Sequence, residues 1–175
     1  MRMMKPLALF ILILCTIQPN NAEDLIEETC HRSPYYFSEC VNYVKSCPPP
    51  GPKNSIEVAI RLFDIMRDKA LTTSIRIVHL LAARVGTPEY QALELCATSY
   101  KEIAVADYRL IRASLPRGDH KVTYDTAINV LKKVEKCEAT LREKSGGRTP
   151  TLLTKENNET TVVVVIASYI VKSFL

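Results

Sequence analysis

The sequence predicts an all-α protein, an antiparallel bundle of three or four long amphipathic helices, and three observations lead there. Apolar residues recur at steps of three and four through most of the chain, the spacing of one buried helix face. Glycine is scarce, at 5 of 175 residues, which leaves few positive-φ turns and argues against a many-stranded sheet. Short turns rich in proline and glycine separate the periodic stretches, as connections between antiparallel neighbours do. Hydrophobic residues at 47% and charged residues at 24% supply enough apolar content for a core and exclude a disordered chain.

Residues 1–22 read as a secretory signal peptide, and residues 23–175 as one helical domain. Arg2 and Lys5 form a short basic region, Leu7 to Ile17 an apolar run, and Ala22 a small residue before the cut. About 11 apolar residues are too few to span a bilayer, so an N-terminal anchor is the weaker reading and the mature form is expected to carry no membrane segment. Loss of Arg2 and Lys5 leaves a net charge of about +2, too small and too dispersed to imply nucleic acid.

Glu23 to Cys47 reads as two short helical pieces around Ser33-Pro34. Pro48-Pro49-Pro50-Gly51-Pro52 cannot be helical and forms a stiff linker. Asn54 can cap the next helix, and Glu57 completes a capping box. Ile56, Ala59, Phe63, Met66 and Ala70 then mark one apolar face. Thr72-Thr73-Ser74 weakens the pattern. Leu71, Ile75, Val78, Ala82 and Val85 resume it, in one bent helix or two consecutive ones.

Gly86 stops that stretch, Thr87 caps the following helix, and Pro88 takes its first position, where a missing N–H costs nothing. From Pro88 to about Leu115 the stripe is Leu93, Cys96, Tyr100, Ala104, Ile111 and Leu115. Pro116-Arg117-Gly118-Asp119 is a turn. Thr123 to Glu143 carries Ala127, Leu131, Val134, Cys137 and Leu141, and Ser145-Gly146-Gly147 ends it. Lys155 to Leu175 places Val163, Ile166, Ala167, Ile170 and Phe174 at helical spacing.

Cys15 leaves with the leader, so Cys30, Cys40, Cys47, Cys96 and Cys137 remain, an odd set that leaves at least one unpaired or paired between chains. Cys96 lies about 22 residues before the turn at Gly118 and Cys137 about 19 after it, so at ~1.5 Å rise per residue they stand within roughly 4–5 Å of one height. Both are on apolar faces, which selects a disulfide over two buried thiols in an exported chain. Cys30 and Cys40 flank the Ser33-Pro34 turn and can meet. Cys40 and Cys47 would be ~10 Å apart on a helix and cannot bond. Cys47 is then the leftover, with Cys30–Cys47 as the competing pair. Zinc is excluded by the absence of any CxxC pair and of ligand spacing among His31, His79 and His120.

Cys30-His31-Arg32-Ser33-Pro34-Tyr35-Tyr36-Phe37-Ser38-Glu39-Cys40, Ala92-Leu93-Glu94-Leu95-Cys96 with Tyr100, Tyr124-Asp125-Thr126-Ala127, Lys136-Cys137-Glu138, and Thr149-Pro150 to Leu153-Thr154-Lys155-Glu156-Asn157-Asn158 follow one another in order. Together they resemble the plant invertase and pectin methylesterase inhibitor family, above all its invertase-inhibitor branch with the plane-tree pollen allergens. The resemblance covers essentially the whole mature chain. It implies an up-down-up-down four-helix bundle with an N-terminal helical hairpin, one disulfide in the hairpin and another between bundle helices. It also implies a secreted inhibitor of the cell wall or vacuole that blocks the cleft of an invertase or a pectin methylesterase. Val122-Thr123-Tyr124 stands where some invertase inhibitors carry Pro-Lys-Phe, and Cys47 with its proline run is a further departure.

An enzyme is not expected. No GxSxG, HExxH, phosphate loop or dinucleotide fingerprint occurs, and no cofactor is implied. Glu27-Glu28 and Glu138 with Glu143 read as solvated acids on helices. Arg61, Arg67, Lys69, Arg76 and Arg84 are candidates for contacting an acidic target, since charge complementarity steers association. Asn158-Glu159-Thr160 is a glycosylation sequon. The alternatives to inhibition are a secreted helical protein with an unrelated partner, or a lipid-anchored one. The anchor reading takes Ser145-Gly146-Gly147 and the apolar tail Val162 to Leu175 as an anchor signal.

Overall fold

The structure, a computed structural model, describes residues 21–175, so the leader reading lies outside the described residues apart from Asn21 and Ala22. Among the described residues the fold is all-helical. Its helices are α1 (Asn21–Cys30), α2 (Phe37–Lys45), α3 (Ser55–Ala83), α4 (Glu89–Glu102), α5 (Tyr108–Ser114), α6 (His120–Lys144) and α7 (Thr154–Lys172). Short 3-10 turns at Pro34–Tyr36 and Leu115–Arg117 each carry a proline, Pro34 and Pro116, in their first two positions.

Local chemistry accounts for the boundaries. Asn54 Oδ1 accepts the Glu57 N–H at 2.9 Å, and the Glu57 carboxylate reaches back to the Lys53 N–H at 2.8 Å, a capping box displaced by one residue. Gly86 and Gly118 take φ of 80° and 82°, the left-handed region that glycine enters freely, at the two reversals flanking α4 and α5. Thr87 does not cap α4. Its hydroxyl donates to the Arg84 carbonyl at 2.9 Å, and Pro88 opens the helix.

Between α4 and α5 the rod passes through a π-helical turn, Ile103–Asp107, with no break in direction of the backbone dihedrals. That turn explains a gap in the apolar stripe, which steps from Ala104 to Ile111. The wider turn keeps Ile103, Ala104 and Ile111 all in the core while Asp107 and Tyr108 look to neighbouring helices.

α3 packs on α4 and α7, and α6 packs on α4, α5 and α7. The core between them holds Leu62, Phe63 and Met66 from α3, Leu93 and Tyr100 from α4, Val134 and Leu141 from α6, and Val163, Ile166 and Ile170 from α7. The α1–α2 hairpin lies against α3, and α1 also reaches α7, with Ile26 and Val44 buried in the same core.

One expected face is corrected. α3 is a single helix, and its C-terminal half does not bury the Leu71, Ile75, Val78, Ala82 and Val85 stripe. Thr73 and Ile77 face the core instead, with Leu80 and Leu81 packed against it. The hydroxyl of Thr73 donates to the Lys69 carbonyl at 2.8 Å, so a polar residue enters the core with its group satisfied.

Candidate interaction surface

Two disulfides fix the scaffold. Cys30 and Cys40 are bonded across the hairpin turn, and Cys96 of α4 is bonded to Cys137 of α6 with their Cα atoms 5.0 Å apart. All four are fully buried. Cys47 is a free, half-buried thiol at the end of the hairpin, its Sγ 3.5 Å from the Tyr43 carbonyl.

The hairpin is held at several points. Thr29 and Ser55 share a hydrogen bond of 2.9 Å between their hydroxyls. Arg32 donates to Ser173 Oγ at 2.8 Å and lies over the Phe174 ring, which the His120 ring meets from 5.1 Å. Lys45 pairs with Glu23 and Glu27 of α1. The hairpin turn at Arg32, the C-terminal end of α7 and the start of α6 are thereby joined at one place.

The other junction is polar and lies where α7 begins. Glu138 of α6 accepts from Thr151 Oγ1 at 2.9 Å, Thr154 Oγ1 at 2.6 Å and Asn157 Nδ2 at 2.5 Å. Tyr100 of α4 donates to Asn157 Oδ1 at 2.7 Å. Burial pushes the Tyr100 phenol far above the usual tyrosine range, and the nearby Glu156 and Glu138 charges add to the shift. Thr160 Oγ1 is buried beside the phenol and works against that rise.

The five basic residues singled out, four on α3 and Arg84 just past its end, are not a free cationic face. Arg61 donates to the Pro48 and Pro50 carbonyls and so pins the proline linker. Arg67 lies over the Tyr108 ring. Lys69 pairs with Glu159 at 2.8 Å, and Arg76 with Glu156 at 2.9 Å, both on α7. Arg84 lies beside Glu89, whose carboxyl is held low by its own backbone N–H, by Thr87 and by Arg84.

Of the acids read as solvated, Glu27, Glu28 and Glu143 are exposed, and Glu138 alone is drawn into a network. Glu27 meets Lys45, Glu138 sits in the polar junction, and Glu143 meets Lys144 at 3.4 Å. Sequence reasoning missed the bridge of Lys133 from α6 to Glu102 and Asp107, at 2.9 and 2.7 Å. Burial works to lower the Lys133 ammonium, and its hydrogen bonds to Asp107 and Glu102 outweigh that, so it is raised overall. Only the missing apolar position at the π turn hints at this bridge in the sequence.

The open grooves are shallow. One of about 470 Å³ lies between α2, α3 and α7, lined by Tyr43, Asp68, Lys69, Thr72 and Glu159. Another lies between α6 and α7 beside Asn158, which is exposed one turn into α7. Among the described residues no group of His, Cys, Asp and Glu could hold a metal ion, and no helix is long and apolar enough to cross a membrane. The tail that an anchor signal would discard supplies Val163, Val164, Ile166, Ala167, Ile170 and Val171 to the core.

No protein-family model matches the chain, and a search of curated proteins finds no match. What the arrangement can do rests on its own geometry. It offers long helix faces, a hairpin held at several points and shallow grooves.

Proposed function

We propose that this chain is a secreted inhibitor that binds a plant invertase or pectin methylesterase and blocks its active-site cleft by stoichiometric contact, without chemistry. On this reading the long rods α3, α4–α5, α6 and α7 form an up-down-up-down four-helix bundle, and α1–α2 is its N-terminal hairpin. The protein acts in the cell wall or vacuole. The observation that carries the reading is the placement of the two disulfides. One closes a hairpin docked on α3 and α7, and the other ties two long helices through the core, the arrangement implied by the resemblance.

The pinned surface supports the mechanism. A binder whose hairpin, linker and helix junctions are already held gives up little conformational entropy on docking. The test is direct titration of purified plant cell-wall and vacuolar invertases and a pectin methylesterase with oxidised protein at mildly acidic pH. Activity of at least one enzyme falls linearly to an equivalence point, and reduction of the disulfides abolishes the effect. Full activity of all of them at micromolar protein overturns the reading.

A further inference from the structure

The turn of the N-terminal hairpin carries an aromatic ring that the fold does not use. Pro34-Tyr35-Tyr36-Phe37 connects the two hairpin helices, and Tyr36 and Phe37 pack against the core. Tyr35 turns the other way. It is 84% exposed, the most of any large hydrophobic side chain among the described residues.

The backbone beneath it is held on both sides. The Cys30–Cys40 disulfide closes the turn. Ser33, fully buried, donates its N–H to the Cys30 carbonyl at 2.9 Å, and the Tyr36 N–H donates to the Ser33 carbonyl at 3.0 Å. The His31 ring stacks on Phe37 at 4.5 Å, and Arg32 is fastened to Ser173 and Phe174. Tyr35 therefore stands on a fixed backbone with only two side-chain torsions to order, so its capture costs little entropy.

Resting on the inhibitory reading above, we propose that Tyr35 is the anchor this protein inserts into its target, where the phenol ring fills a subsite shaped for a sugar ring. The chemistry of the turn selects that occupant. Beside Pro34, the exposed neighbours His31, Ser38 and Glu39 are polar, so the turn offers one ring and not an apolar patch. A single ring is buried by a pocket, not by a flat surface. The phenol has apolar faces and one hydroxyl at its edge. Ligand pockets match that pattern, with apolar and aromatic walls and a few placed polar groups. Tyrosine is also among the residues that most often dominate binding at a protein interface.

Inhibition of plant cell-wall and vacuolar invertases and of a pectin methylesterase, measured with oxidised wild type and three variants, decides it. For an enzyme that the wild type inhibits, Tyr35→Ala should raise the inhibition constant at least about tenfold. Tyr35→Phe keeps the ring and should fall between the two. Val85→Ala is the control. Val85 is 74% exposed past the far end of α3, about 45 Å along the rod from Ser55, which the hairpin meets through Thr29. Its loss should change the constant by less than about twofold. The denaturation midpoint of Tyr35→Ala should match the wild type. Undiminished inhibition by Tyr35→Ala overturns the anchor and leaves the inhibitory reading standing. An equal loss with Val85→Ala, or a loss that accompanies a lowered midpoint, also overturns it. A wild type that inhibits none of the enzymes overturns both.

Discussion

Tyr100 of α4 and Asn157 of α7 share a 2.7 Å hydrogen bond inside the core, and the Asn157 amide passes it on to Glu138 of α6. Three helices are thus joined through one asparagine. Tyr100→Phe leaves Asn157 Oδ1 buried without its donor and should cost roughly 1–3 kcal/mol of stability, read from urea unfolding. Glu138→Ala strands three donors and should cost at least as much.

The same phenol sets a pH dependence. Its folded-state pKa is raised, by burial above all, over an unfolded value near 10. Stability from this group is therefore complete below about pH 10 and is lost as pH rises beyond it, because only the unfolded chain ionises there. The slope approaches about 1.4 kcal/mol per pH unit. Unfolding midpoints from pH 9 upward should fall in the wild type, and Tyr100→Phe should flatten that fall.

The two disulfides should contribute unequally. Cys96–Cys137 spans 41 residues and Cys30–Cys40 spans 10. In the chain-entropy picture the long loop is worth about 4 kcal/mol and the short one about 3. Replacing each pair with alanine and comparing denaturation midpoints checks the order. Equal or reversed losses would place the stabilisation in packing of the hairpin instead.

The Cys96–Cys137 pair is legible in the sequence because helical rise converts spacing from a turn into height. The C-terminal half of α3 is not. Leu71, Ile75 and Val78 make as regular a stripe as the residues that are buried, and periodicity identifies a face without saying which face meets the core. Thr73 and Ile77 face the core, and the Thr73 hydroxyl tolerates burial because it is satisfied within its own helix. The engagement of Lys69 with Glu159 and of Arg76 with Glu156 is equally invisible, since partners on α7 lie far along the chain. The π turn announces itself only as a skipped apolar position between Ala104 and Ile111.

Asn158 is exposed on α7 while Asn157 and Thr160 beside it are buried, so the acceptor side chain of the sequon points outward. Expression in a plant secretory pathway should give a glycan there. Treatment with an N-glycosidase should lower the mass, and Asn158→Gln should remove the shift without loss of stability beyond about 0.5 kcal/mol.

Lys133 bridges Glu102 and Asp107, and Asp107 is the more buried acid, its side chain 14% exposed. Lys133→Met leaves that carboxylate without its cation and should cost roughly 1–3 kcal/mol, most of it gained back by Asp107→Asn in the same chain.

The central claim is inhibition by surface binding, and titration calorimetry with parallel activity measurements tests it most directly. Oxidised protein added to a plant invertase and to a pectin methylesterase at mildly acidic pH should bind one of them at one copy per active site, with activity lost in step with occupancy. Binding should weaken as salt rises. Absence of heat and of inhibition for both enzymes at micromolar concentration, with the protein folded and its disulfides intact, would contradict the account.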